Sequence, residues 1–465
     1  MNAAAPPQPT QKKMFRCSEF SKILELYPFH DENEKGESGE SEAALSADGA
    51  EENGTPNAAK MATSLLKLKC AVQNYAWGKK GTDSEVAKLY ASGDADAEVS
   101  EEKPYAELWM GTHPSGPSVV SSTGATLKEW IAQNDACLGS VLKGKYGTDL
   151  PFLFKVLSVQ TALSIQAHPH KALAEELHRD RPHVYKDDNH KPEMTLALTD
   201  FEALSCFVSH EELRDAIVGV PELAECVGKE ESEALAADLL RPEARQGALK
   251  SAFRAVMTRD AEVVKGLIGR LVRRLQSSTD LTEKERLILR LDSQYPGDVG
   301  IFAAYFLNYI KIKPGQAIYL EANEPHAYLS GNCVEVMATS DNVVRAGLTP
   351  KLRDTDVLCG MLTYKAGMPE VLDGERVADK VRAYVPPFDE FQISVVDLGE
   401  GEKASVPHLD GPLLVLVYGG KGEVNGSEVG KGEVFFVPDG CDLEVSAGEG
   451  MGCSLYIASA NKRIF

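Results

Sequence analysis

The stretch Gly432-Glu433-Val434-Phe435-Phe436-Val437-Pro438-Asp439-Gly440 decides the fold class of this chain. It places four apolar residues between a glycine and a Pro-Asp-Gly turn, a pattern that predicts a short buried strand ending at a tight turn. A related stretch runs from Gly315 through the apolar residues Ala317–Leu320 to His326. His326 follows Gly315 at the same distance at which Leu443 follows Gly432. We interpret the two stretches as an internal repeat of one β-rich unit.

Short apolar runs separated by glycine turns surround both stretches, at the spacing of about 8–12 residues that is typical of a β-sandwich or barrel. The expected strands are Leu68–Val72, Ser118–Val120, Phe152–Ser158, Cys333–Met337, Phe391–Val396, Leu413–Tyr418 and Cys453–Ile457. The stretch from Gly432 to Gly440 resembles the second conserved element of cupin jelly rolls, in which a histidine three residues after the second glycine often binds metal. His326 occupies that place in the first copy and Leu443 in the second. The resemblance implies two jelly rolls, of which only the first binds metal.

Residues 206–292 follow a different pattern. Their apolar residues recur at i, i+3 and i+4, the period of an amphipathic helix, most clearly at Val263, Val264, Leu267, Ile268, Leu271, Val272 and Leu275. The sequence therefore predicts a mainly β protein with an α insertion: two cupin-like jelly rolls plus an inserted helical domain. We expect a split jelly roll at 61–205 and 293–380, the helical domain at 206–292, and a second jelly roll without metal ligands at 381–465.

The composition argues against several partners. The chain has 49 lysines and arginines against 70 aspartates and glutamates, a formal charge of −21. Non-specific binding to nucleic acid or to anionic membranes needs a basic surface. The sequence contains no apolar run of about 18 residues, so we expect no transmembrane helix. It has no apolar segment near the start, so we expect no secretion signal. Nine scattered cysteines without a CxxC pair are typical of a reduced, cytoplasmic protein.

The first sixty residues differ from the rest. They carry six basic and eleven acidic residues, and the part from Asp31 to Asn57 has hardly an aliphatic residue. Such a composition buries too little apolar surface to offset the entropy of ordering, so we expect residues 1–60 to be a disordered acidic extension. Within it, the more apolar segment Met14–Phe29 predicts at most a short helix.

A histidine cluster indicates where the chemistry lies, because six of the ten histidines fall between His168 and His210. On a strand, alternate side chains share a face, so Ser164, Gln166 and His168 are expected to point the same way. Two histidines, a carboxylate and an amide oxygen can form a divalent metal site, and imidazole favours Zn²⁺. Taken alone, a Gln-x-His triplet on a strand is more often structural, so the residues leave both interpretations open.

Five motifs occur in order along the chain. They are Gln73-Asn74-Tyr75-Ala76-Trp77-Gly78, residues 106–114 (AELWMGTHP), Gln166-Ala167-His168-Pro169, Asp188-Asn189-His190-Lys191-Pro192-Glu193, and the run from Pro325 to Gly331 and on through residues 340–351 (SDNVVRAGLTPK). Together they closely resemble the type I phosphomannose isomerase family from about Leu66 to the C-terminus.

The resemblance implies a zinc-dependent aldose–ketose isomerase that interconverts mannose 6-phosphate and fructose 6-phosphate and supplies mannose 6-phosphate for GDP-mannose synthesis. It implies one Zn²⁺ per chain, held by Gln166, His168, Glu193 and His326. We expect a monomer whose only partner is a sugar phosphate.

The remaining site residues are expected from the same motifs. Arg345 lies in the active site in the family, where it would steady a developing enediolate. Lys191 is implicated in ring opening or proton transfer in similar enzymes, while Asp341, Glu335 and His190 are further acid–base candidates. For the phosphate group we expect a hydroxyl donor at Ser164 and a cation at Lys155, although Lys155 is equally well interpreted as a surface lysine.

Two alternatives stay open at the level of sequence. A metal-dependent bicupin oxygenase would use a histidine-rich iron or copper site and would need no phosphate pocket. A non-catalytic, sugar-binding bicupin would often lose ligands, as Leu443 suggests for the second copy. Metal analysis, oxygen consumption and a mannose 6-phosphate assay would separate the three.

Overall fold

The computed structural model describes residues 65–237 and 241–465, so the expected acidic extension and its short helix lie outside the described residues. The described chain is mainly β, which confirms the predicted fold class. The strands are β1 Leu66–Lys69, β2 Ala71–Gln73, β3 Lys79–Lys80, β4 Pro104–Tyr105, β5 Glu107–Met110, β6 Val119–Val120, β7 Phe152–Val159, β8 Ile165–Ala167, β9 Glu193–Ala197, β10 Phe201–Phe207, β11 Leu307–Ile312, β12 Ala317–Leu320, β13 His326–Ala338, β14 Val344–Gly347, β15 Val371–Leu372, β16 Glu375–Ala378, β17 Val381–Tyr384, β18 Gln392–Leu398, β19 Lys403–Val406, β20 Leu413–Val424, β21 Ser427–Gly430, β22 Val434–Val437, β23 Leu443–Ala447 and β24 Cys453–Ser459.

The helices concentrate in the predicted insertion. The described α-helices are Glu85–Gly93, Leu127–Gln133, Gly139–Tyr146, Lys171–Asp180, His210–Gly219, Pro221–Val227, Lys229–Ala236, Pro242–Met257, Ala261–Gln276, Glu283–Gln294, Gly300–Ala303 and Thr355–Met361. The helix Ala261–Gln276 begins at Asp260, whose carboxylate accepts hydrogen bonds from two backbone N–H groups of the first turn. It buries Val264, Leu267, Ile268, Leu271 and Leu275 as the period predicts, whereas Val263 is exposed on its first turn.

The strands form two large antiparallel sheets. One sheet, called the catalytic sheet after the role that the family resemblance implies for its jelly roll, has the order β15-β12-β9-β13-β7-β5-β2. β8 and β10 also pair with β13, β14 pairs with β8, and β11 pairs with β10. The C-terminal sheet has the order β16-β17-β18-β24-β20-β22-β1-β6. The strand expected at Leu68–Val72 is divided at Cys70 because the chain changes sheets there: β1 pairs with β22, and β2 pairs with β5. β1 and β16 thus precede residue 381 in the chain but lie in the sheet of the C-terminal strands.

The internal repeat is visible in the backbone. Gly315 and Gly432 both have φ of 84°, a left-handed conformation that glycine adopts without steric cost. Each lies in the turn two residues before a short strand, and β12 and β22 have the bounds that the sequence predicts. After the strand the copies differ, since His326 begins the long central strand β13 and Leu443 begins β23.

Apolar packing joins the parts of the chain. One core fills the C-terminal jelly roll around Val415 and Phe435. Another is shared between the two sheets, with Phe154 and Val334 from the catalytic sheet and Leu414 and Phe436 from the C-terminal sheet. Each fully buried side chain of this kind contributes about 1.5–3 kcal/mol, so the shared core fixes one sheet on the other. No helix in the described part of the chain is long and apolar enough to cross a membrane.

Candidate metal centre and substrate cleft

Three buried side chains meet at the catalytic sheet. His168 follows β8, Glu193 begins β9 and His326 begins β13. Nε2 of His168 lies 3.3 Å from one carboxylate oxygen of Glu193, and Nε2 of His326 lies 3.4 Å from the other. All three side chains are at most 2% exposed, and their ligand atoms lie within 4.8 Å of one another. The strand order explains the meeting, because β8 and β9 both pair with β13.

Backbone carbonyl groups fix both imidazole rings. Nδ1 of His168 lies 2.6 Å from the carbonyl oxygen of Asn342, and Nδ1 of His326 lies 3.1 Å from that of Glu324. Each Nδ1 must donate to its carbonyl, so each Nε2 presents a lone pair to Glu193. Nε2 of His168 and Oε2 of Glu193 have no hydrogen-bond partner in the part of the chain that the structure describes. Two lone pairs facing a carboxylate in a buried space match a cation held between them.

The protonation states agree with this interpretation. Burial lowers the pKa of His168 to about 4, against the opposing charge of Glu193, so its ring is neutral near pH 7. Burial alone would raise the pKa of Glu193, but the nearby Lys191 ammonium and the contacts with His168 outweigh burial and hold it well below its usual range. A neutral imidazole and an ionised carboxylate are the forms that bind a divalent metal.

Gln166 completes the predicted set beside these three residues. It pairs with His326 across β8 and β13, and its amide Nε2 lies 3.5 Å from Nε2 of His326. The hydroxyl of Ser164 donates to Oε1 of Gln166 at 3.2 Å, so Ser164 and Gln166 share a face as predicted. A half-turn of the amide would direct its oxygen toward the cluster and its nitrogen toward Ser164.

A cleft of about 630 Å³ opens on this cluster, a size that suits a small-molecule ligand. Gln166, Glu193 and Ser164 line it, and so do Arg345 and Lys351. Burial lowers the pKa of Arg345, and burial together with the charge of Arg345 lowers the pKa of Lys351. Within residues 65–237 and 241–465, neither cation forms an ion pair. The cleft therefore holds two mutually repelling positive charges that no carboxylate of the described residues contacts directly.

Lys155 has a different environment from the one we expected. Its ammonium lies 3.4 Å from a carboxylate oxygen of Glu107 and 3.1 Å from one of Glu335, and 5.0 Å from the ring centre of Trp109. Burial alone would lower the pKa of Lys155, but the two carboxylates outweigh it and raise the pKa. The indole Nε1 of Trp109 donates to Glu107. Since two anions already neutralise this one cation, its geometry argues against the predicted phosphate contact.

Three of the four acid–base candidates, Lys191, Asp341 and Glu335, line the cleft, whereas His190 is not among its lining residues. Nζ of Lys191 lies 3.1 Å from Oε1 of Glu193. Burial raises the pKa of Glu335 despite the nearby Lys155. His113, for which the sequence names no partner, accepts from the backbone N–H of Ser115 through Nδ1 and therefore donates from Nε2 to Asp341, 3.3 Å away. This bond lowers the pKa of Asp341.

Sequence reasoning missed four residues of the cleft wall: Glu107, Trp109, His113 and Lys351. All four lie inside the quoted motifs, so the sequence did mark these positions. Their roles depend on which strands are neighbours, and the motifs do not state that.

Known proteins resemble the chain over most of its length. The model for "Phosphomannose isomerase type I, catalytic domain" matches residues 65–210, and that for the helical insertion domain of the same family matches residues 225–307. Mannose-6-phosphate isomerase 1 of Arabidopsis thaliana is 47% identical over 411 residues, covering 86% of this chain and 94% of that protein. The Homo sapiens mannose-6-phosphate isomerase is 45% identical over 370 residues, covering 77% and 88%.

Solved structures agree with these relatives. A crystal structure of mannose 6-phosphate isomerase bound with zinc and yttrium superposes with a TM-score of 0.73 at 29% identity, covering 86% of this chain and all of that one. The apo form from Salmonella typhimurium gives a TM-score of 0.72 at 29% identity, covering 86% and 99%. The motifs, the two sheets, the helical insertion and these relatives lead to one conclusion: the chain belongs to the type I phosphomannose isomerase family.

Proposed function

We propose that this chain interconverts mannose 6-phosphate and fructose 6-phosphate. The observation that carries the proposal is one cleft beside the buried His168–Glu193–His326 cluster, lined by two cations, Arg345 and Lys351, that form no ion pair with any described residue. The first feature suits the oxygens of a sugar, and the second suits a phosphate dianion. The names of the relatives supply the substrate. Family membership also favours an isomerase over the oxygenase and the non-catalytic binding protein.

The resident metal is proposed to be one Zn²⁺ per chain. His168, Glu193 and His326 would hold it with Gln166 as the fourth ligand, a donor set dominated by imidazole that favours zinc over magnesium or calcium. When bound, Zn²⁺ supplies a Lewis acid for the carbonyl and hydroxyl oxygens of the substrate. A relative crystallised with zinc is consistent with this assignment.

The phosphate group is proposed to bind at Arg345 and Lys351, with Ser164 as a hydroxyl donor. Burial and, after it, the charge of Arg345 lower the pKa of Lys351, and a phosphate there would relieve the second of these effects. Arg345 and Gln166 are directly paired between β14 and β8. Such a phosphate would therefore hold the sugar beside the metal ligands. Lys155 is reassigned from phosphate binding to neutralising Glu107 and Glu335.

Proton transfer is proposed to pass through a cis-enediol(ate) formed after ring opening. Lys191 and Glu335 are the proposed groups for moving protons at C1, C2 and their oxygens, because both line the cleft near Glu193. Asp341, held by His113, is proposed as the acid–base group for ring opening. Arg345, permanently cationic, would stabilise negative charge that develops on the sugar oxygens.

The biological setting is proposed from the family and from the cysteines. All eight cysteines of the described residues are free, which suits a reduced compartment such as the cytoplasm. There the enzyme would act as a monomer, without nucleic-acid or membrane partners, and would supply mannose 6-phosphate for GDP-mannose synthesis.

A coupled assay of mannose 6-phosphate conversion, with and without a chelator, tests the function. We expect turnover in the zinc-loaded enzyme, its loss on chelation and its return with added Zn²⁺. The Glu193→Gln variant should stay inactive when zinc is added back. Turnover that survives complete removal of metal would refute the zinc assignment, and absence of turnover in the loaded enzyme would refute the function.

A further inference from the structure

The segment Asn189–Glu193 leads into β9 and carries Lys191 and Glu193. The catalytic jelly roll holds its backbone at two points. The carbonyl oxygen of Asn189 accepts a hydrogen bond from Nδ2 of Asn342 at 2.9 Å, and that of Pro192 accepts from the backbone N–H of Ala338 at 3.0 Å. Between these two points the side chain of His190 points away from the catalytic jelly roll and contacts the C-terminal jelly roll.

That partner is Glu390, which lies two hundred residues later in the chain. Nε2 of His190 lies 2.7 Å from Oε1 of Glu390, and the two side chains are 28% and 12% exposed. Burial would raise the pKa of Glu390, but the hydrogen bond from His190 outweighs it and holds the pKa below its usual range. Glu390 is therefore a carboxylate acceptor for the imidazole N–H, a charge-assisted bond away from bulk solvent.

Glu390 belongs to a fixed loop of the C-terminal jelly roll, between β17 and β18. Asn461, which is fully buried, holds this loop from the other side. Its Nδ2 donates to the carbonyl oxygens of Pro386 at 2.9 Å and Phe391 at 3.4 Å. Its backbone N–H donates to the carbonyl oxygen of Asp389 at 3.2 Å. A loop bonded at both ends offers His190 a rigid acceptor.

We propose that Glu390 is a positioning residue, through which the C-terminal jelly roll aims Lys191 into the cleft. The path is short: Glu390 holds His190, and His190 is bonded covalently to Lys191. A jelly roll that has Leu443 where the other copy has His326 thus takes part in the reaction without contacting the substrate. The inference rests on the proposed isomerase activity, which supplies the readout.

Alanine substitution of Glu390 tests the role, with its neighbour Asp389 as the matched control. Asp389 also carries a carboxylate on the same loop, but it pairs with the half-exposed Lys145 at 3.5 Å. For Glu390→Ala we expect kcat to fall about tenfold, the scale of one lost charge-assisted hydrogen bond, with KM for mannose 6-phosphate and zinc content unchanged. Glu390→Gln, which keeps an acceptor oxygen, should recover most of the loss, and Asp389→Ala should match the wild type.

A double variant separates positioning from general weakening of the fold. If Glu390 acts through His190, the variant carrying both His190→Ala and Glu390→Ala should lose no more kcat than the worse single variant. All assays are run well below the melting temperature of each variant. Equal kcat in Glu390→Ala and wild type, or a double loss equal to the product of the single losses, would overturn the proposal. A wild type that fails to turn over would instead refute the proposed function.

Discussion

Nε2 of His168 lies 3.3 Å from Oε1 of Glu193 although the proton of that ring is on the opposite nitrogen, where it is donated to a backbone carbonyl. Two electron-rich atoms at that distance in a buried site repel each other unless a cation joins them. The pair is therefore costly to the metal-free protein and favourable to the metal-loaded one, which leads to the first prediction.

Removal of metal should destabilise the protein as well as inactivate it. A ligand bound only by the folded state stabilises it by about 4 kcal/mol at a thousand times its Kd. Zinc should therefore raise the melting temperature by several degrees in calorimetry. Magnesium at the same concentration should not, because it disfavours imidazole ligands. A Glu193→Gln variant whose melting temperature rises equally with zinc would place the metal elsewhere.

Replacing Lys155 should destabilise the fold in a pH-dependent way. Lys155→Met leaves Glu107 and Glu335 buried together without their cation, a loss of about 3–5 kcal/mol. In the wild type, burial raises the pKa of Glu335 and Lys155 partly lowers it. In the variant the pKa should therefore rise further, because Lys155 is absent. The folded variant then binds protons that the unfolded chain has released, so its stability falls as pH rises above the usual carboxylate range.

Thermal melts of the Lys155 variant from pH 5 to pH 8 measure this effect. The melting-temperature gap to wild type should be widest at pH 8 and should narrow toward pH 5. Lys128→Met, which breaks an exposed pair with Asp149, serves as a control and should show a small gap at every pH. If the difference in melting temperature between Lys155→Met and wild type stays constant over this range, Lys155 does not hold the charges of Glu107 and Glu335 as proposed.

The phosphate assignment predicts a loss specific to phosphorylated sugar. Lys351→Met should raise KM for mannose 6-phosphate roughly 10–100-fold, the range for a lost hydrogen bond to a charged group. Any turnover of unphosphorylated mannose should be unaffected, since that sugar makes no such contact. Ser164→Ala should show a smaller effect of the same kind. An equal effect of Lys351→Met on both sugars would show a role for Lys351 other than phosphate binding.

Lys191 is expected to affect the chemical step. Lys191→Ala should lower kcat by roughly 10²–10⁴, the usual contribution of one acid–base group. The exchange of the C2 hydrogen with solvent deuterium, followed by NMR, should disappear with it. Zinc content must be measured in parallel, because Lys191 contacts Glu193. Exchange that persists in the zinc-loaded variant would assign the proton transfer to another group, of which Glu335 is the nearest candidate.

The fold could be predicted largely because its signals are local. The glycine before β12 and β22, the apolar strand that follows and the helical period near Leu267 each need only about a dozen residues. The four residues expected to hold metal came from motifs whose residues lie together in the structure. The division of Leu68–Val72 between two sheets was not predicted, because nothing local marks Cys70 as a crossing point.

Lys155 shows why the rest of the site required the structure. It is directly opposite Glu335 of β13 on one side and Trp109 of β5 on the other. Cross-strand neighbours of this kind decide whether a lysine faces water, phosphate or a carboxylate. Strand register is a long-range property, so a lysine in an apolar motif was compatible with all three environments.

The pairing of β1 with β22 sets a lower limit on the time that the chain needs to complete its C-terminal sheet during synthesis. Lys67 and its partner Glu433 are 366 residues apart, and their ion pair of 2.6 Å joins the first described strand to one of the last. A ribosome adding about 5–20 residues per second takes roughly 20–70 s to cover that distance. During this time β1 lacks its partner β22, so one edge of β1 stays unpaired. The C-terminal sheet can therefore close only after all four proposed metal ligands, the last of which is His326, have been synthesised.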